Sequence, residues 1–205
     1  DVIGTHANEQ SSYHGLWEMH KNPIAQPRHN MVFAVVNPKD AYEGDFGYRV
    51  KAPRLDPNRI FVDPEHPMVK AFIAMITAIH HDKPIISAVD WHNTSSTHPA
   101  FGFYRNSLAL VQNMVGSGGS VVYFRPSGCL IEAIEALGIP TVIVEGGQMA
   151  NPLVHAQVAS CMRWRHEVDA SVLLAQRTDV HDIEQTNTVY LSDKDATLLL
   201  SLIHI

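Results

Sequence analysis

Pro67-Met68-Val69-Lys70-Ala71-Phe72-Ile73-Ala74-Met75-Ile76-Thr77-Ala78-Ile79-His80-His81-Asp82, then Lys83, then Pro84-Ile85-Ile86-Ser87-Ala88-Val89, decides the fold class. Pro67 suits the first helical position, where a missing N–H costs nothing. Met68, Ala71, Phe72, Met75, Ile76 and Ile79 recur at helical spacing, and Asp82-Lys83-Pro84 closes the helix. Pro84 to Val89 is short and apolar throughout, as a strand covered on both faces is. A helix feeding directly into a buried strand is one half of a parallel α/β unit.

The same alternation continues in both directions. Towards the N-terminus, Met31 to Val36 reads as a buried strand ended by Asn37-Pro38, Asn8 to His20 as a helix, and Asp1 to Gly4 as a strand stub entering a loop. Residues 38–66 are rich in Pro, Gly, Asp and Arg and read as one long loop, a length uncommon unless the loop has work to do. Towards the C-terminus, a helix is expected over Ser107 to Val115, broken by Gly116-Ser117-Gly118-Gly119, and a strand over Ser120 to Phe124. Cys129 to Leu137 is helical with Gly138 as its stop, and Pro140 to Val144 is a third buried strand. Asn151-Pro152 is a cap and first-turn pair opening a long helix towards Leu174. From Asp179 on, apolar and polar residues alternate as in half-exposed strands. The expected architecture is an α/β sheet, largely parallel, whose chemistry gathers in loops at the carboxyl ends of the strands.

Composition narrows the function. Of the 205 residues 45% are hydrophobic, enough for one packed domain without a disulfide or metal to hold it. The net charge of −6 is spread without blocks, which argues against a nucleic-acid or anionic-membrane binder. No apolar run reaches the roughly 18 residues that span a bilayer, and the first residues lack the basic start and apolar stretch of a signal peptide, so a cytoplasmic protein is expected. Two cysteines, Cys129 and Cys161, exclude a disulfide framework. The 13 histidines are too many for one site, so position must select among them.

Four stretches carry side chains able to do chemistry. In Gly4-Thr5-His6-Ala7-Asn8-Glu9, His6 and Glu9 sit between a strand stub and a helix, where both can face one point. An imidazole and a carboxylate suit zinc, but catalytic zinc takes three protein ligands, and the pair alone reads far more readily as a solvated helix start. In Asp90-Trp91-His92-Asn93-Thr94, His92 falls just past a buried strand, the place for a functional side chain or for a hydrogen-bonded core histidine. In Asp56-Pro57-Asn58-Arg59-Ile60-Phe61, adjacent Asn58 and Arg59 can clamp a carboxylate, and Asp56 can take an imidazole N–H; a turn with a surface arginine is the plainer alternative. In Val142-Ile143-Val144-Glu145-Gly146-Gly147, a carboxylate ends an apolar strand. Partial desolvation there would raise its pKa towards the proton-transfer range; an exposed strand-end glutamate is the other reading.

In this order, from about residue 4 to 175, the stretches resemble the succinylglutamate desuccinylase/aspartoacylase family, a branch of the zinc carboxypeptidase-like fold. Gly4 to Glu9 is similar to its Gly-Thr-His-Gly-Asn-Glu, with Ala7 for glycine. Asn37-Pro38 is similar to its Asn-Pro after the second strand, and Asp56 to Phe61 to its Asp-Leu-Asn-Arg-x-Phe, with Pro57 for leucine. Asp90 to Ser95 resembles its Asp-x-His-Asn-Thr-Thr, and Gly138 to Gly147 its Gly-Ile-Pro-x-x-x-x-Glu-x-Gly.

The resemblance implies an α/β fold with a mostly parallel, mixed central sheet and helices on both faces. It implies one Zn²⁺ per chain held by His6, Glu9 and His92, with Asp56 supporting His6. Glu145 would be the general base and then acid. Asn58 and Arg59 would hold a substrate carboxylate, and Arg49, in competition with Lys51 and Arg54, would steady the oxyanion. The implied reaction is hydrolysis of a carbon–nitrogen bond other than a peptide bond, deacylation of an N-acyl amino acid; a metallocarboxypeptidase acting on a peptide or cell-wall peptide, or a zinc-binding but silent module, are the alternatives. The partner is then a small-molecule substrate rather than nucleic acid or membrane, with homo-oligomerisation left open. Ile131 stands where relatives of the family carry an arginine facing the substrate, which argues against a dicarboxylate. Residues 1–175 are expected to form the hydrolase domain. Residues 176–205 are expected as a short β-rich remnant of the second domain that family members carry, and residues ahead of Asp1 are expected to be missing from the chain.

Overall fold

The strand that follows the Pro67 helix starts later and runs further than its apolar stretch suggests. In the computed structural model, which describes residues 1–6, 8–36, 56, 58–94, 100–116, 119–123, 128–149 and 151–182, it spans Ala88–Thr94. Ile85 and Ile86 instead belong to the connection and pack against the core from its margin. The strand's second half is polar, Asp90, His92, Asn93 and Thr94, yet every residue in it is buried. Asp90 accepts from Thr5, Asn93 bridges Ser11 and Gly147, and His92 stands between the Glu9 and Asp90 carboxylates, which is how polar residues can occupy a central strand. His92 therefore lies inside the strand rather than just beyond it.

The described residues form a seven-stranded sheet: β1 (Val2–Ile3), β2 (Ala34–Val35), β3 (Ala88–Thr94), β4 (Phe101–Tyr104), β5 (Ser120–Tyr123), β6 (Thr141–Gln148) and β7 (His181–Asp182). Their order across the sheet is β2-β1-β3-β6-β4-β5-β7. All neighbours are parallel except β4 and β6, which run antiparallel, so the sheet is mixed as expected. β4 has no counterpart in the sequence reading, because Phe-Gly-Phe-Tyr is short and Gly102 interrupts the pattern. Gly102 is needed there: a Cβ would fall 2.2 Å from Val111 Cγ2.

The helices are α1 (Ser11–Lys21), α2 (Pro67–Asp82), α3 (Leu108–Val115), α4 (Leu130–Glu135), α5 (Pro152–Glu167) and α6 (Ala170–Leu173). A 3₁₀ turn covers Ile60–Val62 at the end of the long loop, most of which (37–55 and 57) lies outside the described residues. α1 begins three residues later than Asn8, because the Glu9 N–H turns back to the His6 carbonyl at 3.2 Å. The expected long helix to Leu174 breaks at Val168 and Asp169, both extended, leaving α5 and the short α6. Asn151 caps α5 by accepting from the Leu153 N–H, as its Asn-Pro start suggests. Gly138, at φ 78°, ends the α4 segment. Of the alternating tail, β7 is described; residues 183–205 lie outside.

Strand alternation sorts the core into two layers. Ile3, Val89, Trp91, Val142 and Val144 point to one face and pack against Met19 of α1, Leu110 and Val111 of α3, and Val158 and Met162 of α5. Val2 and Ala88 point to the other face, against Ile76 of α2 and Leu130 and Ile134 of α4. Ile143 and Phe103 share that second face with Ile131 and Cys129. Each such fully buried aliphatic or aromatic side chain contributes roughly 1.5–3 kcal/mol. Asp90, His92 and Glu145 alternate onto the second face too, so the polar residues occupy a gap in an otherwise apolar layer.

At the amino ends of the strands, Arg165 of α5 is buried and donates to the Ser87 carbonyl (2.7 Å), the Ser87 hydroxyl (2.9 Å) and the Asp1 carboxylate (2.9 Å). Burial lowers its pKa to about 10, so it stays charged at neutral pH. A cavity of about 460 Å³ opens at this end and contains none of the sequence-predicted site residues. No helix among the described residues is long and apolar enough to cross a membrane.

Candidate metal centre

The site is assembled by three segments that end on one side of the sheet. Gly4, at φ 63°, lets the chain leave β1 and turn at once; a Cβ there would fall 1.8 Å from the Tyr13 hydroxyl. The turn presents His6 and Glu9. β3, beside β1, presents His92, and β6, on the other side of β3, presents Glu145. Asn93 ties these segments together: its Oδ1 accepts the Ser11 N–H at the start of α1 (3.1 Å), and its Nδ2 donates to the Gly147 carbonyl of β6 (3.2 Å).

His6, Glu9 and His92 converge. A ligand atom from each lies within 4.8 Å of the others, and all three side chains are buried. Glu9 stands between the rings: Oε1 is 2.7 Å from His6 Nδ1, and Oε2 is 2.7 Å from His92 Nδ1. The ring centroids are 5.0 Å apart at 60°. Glu9 Oε2 also accepts the Asn93 N–H at 3.2 Å. The far nitrogen of each ring meets another carboxylate. His6 Nε2 is 3.1 Å from Asp56 Oδ1, and His92 Nε2 is 3.0 Å from Asp90 Oδ2.

The electrostatics follow from this packing. Burial opposes ionisation of Glu9, but the two imidazoles outweigh it, and its pKa lies well below the ordinary carboxylate value. Burial likewise opposes a charge on His92, but the Asp90 and Glu9 carboxylates outweigh it, and its pKa lies well above that of a free histidine. Two imidazole nitrogens and a carboxylate at close range, all shielded from solvent, are a donor set that fits a divalent cation of zinc type. Outer carboxylates on both rings suit it as well, since they orient ligand imidazoles.

Glu145 is 1% exposed and is the register partner of His92 across the parallel β3–β6 pair. Their side chains therefore share the second face, with Phe101 of β4 on the other side of Glu145. Asp56 lies where its Oδ1 reaches His6 and also accepts the Asn58 N–H at 2.8 Å. Asn58 is buried, and its Oδ1 accepts the Leu130 N–H at the start of α4 (3.3 Å). Arg59 is half-buried, and its Nη1 donates to the Asn58 carbonyl at 2.8 Å. Arg49, with Lys51, Arg54 and Ala7, lies outside the described residues.

Two contributors were not singled out from sequence. Asp90 and Thr5 are both fully buried, and the Thr5 hydroxyl donates to Asp90 Oδ1 at 2.9 Å. The signal was present in the two-residue spacing of Asp90 and His92, which puts both on one face of a strand. It was hidden because the apolar run ended at Val89.

No family model matches the sequence, and no curated protein matches it. Solved structures do. The succinylglutamate desuccinylase from Chromobacterium violaceum superposes with a TM-score of 0.63 at 18% identity, over 87% of this chain and 64% of that one. The product-bound ectoine utilization protein from Ruegeria pomeroyi gives 0.63 at 14% identity, over 88% of this chain and 60% of that one. Murine aminoacylase 3 gives 0.52 at 15% identity, over 80% and 62%. The chain thus spans about three fifths of the length of the structures it matches. Its fold is that of the succinylglutamate desuccinylase/aspartoacylase structures, a carboxypeptidase-like α/β fold.

Proposed function

We propose that the chain is a zinc-dependent hydrolase that deacylates N-acyl amino acids, cleaving an amide bond next to a carboxylate in the cytoplasm. The observation that carries this reading is the buried convergence of His6, Glu9 and His92, with Glu145 as the neighbour of His92 across β3 and β6. Neighbours in fold named as desuccinylase and aminoacylase point to the same chemistry.

In this reading His6 Nδ1, Glu9 and His92 Nδ1 hold one zinc ion per chain. When bound, such an ion acidifies water and polarises a carbonyl. Glu145 takes a proton from the attacking water and later delivers it to the departing amine nitrogen. Burial suits that task, because a carboxylate with little competing solvent transfers protons only to what is placed beside it. Arg59 pairs with the substrate carboxylate. Asn58 shares that task through its amide donors, its Oδ1 being held by the Leu130 N–H. Asp56 holds His6 by Nε2 so that Nδ1 faces inward. Arg49 is assigned to the charge developing on the carbonyl oxygen, a contribution of roughly 3 kcal/mol in comparable sites.

Elemental analysis of the purified chain, followed by an amine-release assay on acetylated and succinylated amino acids, tests this. Near-stoichiometric zinc and release of free amino acid are expected. Cleavage of short peptides alone would favour a metallocarboxypeptidase, and bound zinc without cleavage of any amide or ester a silent binding module.

A further inference from the structure

Resting on the deacylase reading above, we propose that Phe101 is a specificity-determining residue: it forms an apolar wall beside Glu145 and selects N-acyl amino acids whose own side chain is aliphatic or aromatic.

β4 runs antiparallel to β6, so its first residue lies level with the end of β6 that carries Glu145. Phe101 is the register partner of Glu145, as Glu145 is of His92. Imidazole, carboxylate and phenyl ring therefore form one row across the second face of the sheet. Ser120, the next partner along that row, is too short to cover the ring. Two residues further along β4, Phe103 is buried with Ile143 and with Cys129 and Ile131 at the start of α4. Phe101 packs against the same cluster but stays half-buried. Its ring meets that of Phe103 edge to face, with 5.4 Å between centroids at 88°, so it is held in place before any ligand arrives.

The flanks of Glu145 say which half of a substrate meets this wall. His92 and the other candidate ligands stand on one side, Phe101 on the other. With the carbonyl towards His92 and the amine nitrogen at Glu145, the carbon that bears the amino-acid side chain lies towards β4. Asn58, assigned to the substrate carboxylate, is tied to this side as well: its Oδ1 accepts the Leu130 N–H, and Cys129 and Ile131 on either side of Leu130 pack into the Phe103 cluster. β4 and β5 carry no charged residue, and the two acidic residues of α4, Glu132 and Glu135, face Arg105 at 3.6 and 3.1 Å. A substrate carboxylate against Phe101 would lose its water with no cation from these elements to replace it, whereas an aliphatic or aromatic group gains by being covered.

The test uses the whole chain supplied with zinc, as wild type, Phe101→Ala and Phe101→Leu. Amine release is measured on the N-acetyl derivatives of leucine, phenylalanine, glycine and aspartate, and binding of the four free amino acids is measured by calorimetry. In wild type, kcat/KM for the leucine and phenylalanine substrates is expected to exceed that for glycine and aspartate by about tenfold or more, the usual worth of an apolar contact in a pocket. Phe101→Ala should raise KM for those two substrates by about tenfold with kcat little changed, and leave the glycine substrate as it was. Phe101→Leu, which keeps the wall apolar and should fold even if Phe101→Ala does not, should keep the wild-type order of preference. Equal or better cleavage of N-acetylaspartate, or a Phe101→Ala loss that falls equally on glycine, would overturn the assignment of Phe101 and leave the deacylase reading standing. Tighter binding of leucine and phenylalanine that Phe101→Ala abolishes, with no substrate cleaved, would uphold the wall and overturn the deacylase reading. A chain that neither binds nor cleaves any of the set would overturn both.

Discussion

His92 and Glu145 are register partners on two parallel, adjacent central strands, so a buried imidazole of the candidate metal centre and a buried carboxylate stand side by side on one face of the sheet. The placement comes from backbone pairing, not from flexible loops. A buried carboxylate built on neighbouring strands holds its position without having to be ordered by a bound molecule.

Glu145→Gln keeps the shape of the side chain and removes its ability to accept a proton. The expected outcome is unchanged zinc content with turnover of the released-amine assay lowered by about 10² or more, the usual contribution of a general base. Wild-type rates would remove Glu145 from the reaction. Loss of zinc along with activity would place it among the groups that hold the metal.

His92→Ala leaves two donors from one turn, and those two alone do not define a tetrahedral site. Purified His92→Ala should carry essentially no zinc after dialysis, whereas wild type is expected to retain it. It should also fold less stably in the metal-free state, because Glu9 and Asp90 would remain buried with one cationic partner fewer. Breaking a buried charge pair this way costs about 3–5 kcal/mol, read as a lowered denaturation midpoint.

The sequence carried the fold where periodicity was undisturbed and lost it where function intrudes. α2 has the boundaries its apolar spacing and its Pro67 start imply. β3 does not, since a strand that gives buried positions to Asp90, His92, Asn93 and Thr94 no longer reads as apolar. β6 likewise continues past Val144 through Glu145, Gly146 and Gly147 to Gln148. The candidate ligands were legible because they stand in short ordered motifs. The residues behind them were not: the Thr5–Asp90 contact spans 85 positions, and nothing local announces it. β4 escaped because its antiparallel pairing to β6 is a tertiary choice that four residues cannot specify alone.

Asn93→Ala should loosen the site without touching a ligand. The change removes an acceptor for the Ser11 N–H and a donor to the Gly147 carbonyl, both buried. Two backbone groups then lose a partner, at about 1–3 kcal/mol each if water does not replace it. Expected are a lower melting temperature and faster zinc dissociation with the ligands intact. Urea denaturation together with a chelator-trap rate measurement reads both. An unchanged dissociation rate alongside reduced stability would show that the tie between α1, β3 and β6 serves the fold alone.

Zinc uptake should release protons, and the stabilisation it confers should grow with pH. In the metal-free protein His92 has a folded pKa above its free value of 6.5, because Asp90 and Glu9 outweigh burial. Its protonation therefore stabilises the fold fully below about pH 6.5, and that contribution fades as pH rises through the raised value. Glu9 has the opposite sign: its folded pKa is depressed below 4.5, so its contribution is present above that and lost only as the pH falls through the depressed value. Between these limits the metal-free centre is a cation flanked by carboxylates, and a zinc ion must displace the proton on His92 Nδ1 to bind. Apparent zinc affinity should accordingly climb as pH increases through the raised His92 value, and calorimetry in buffers of different ionisation heat should register proton release. The gap in melting temperature between zinc-loaded and metal-free protein should widen from pH 6.5 upward, as the metal-free form loses its imidazolium while the loaded form does not depend on it. A gap that stayed constant across that range, with no proton release, would mean that His92 is already neutral in the metal-free fold and that Asp90 and Glu9 do not hold it as a cation.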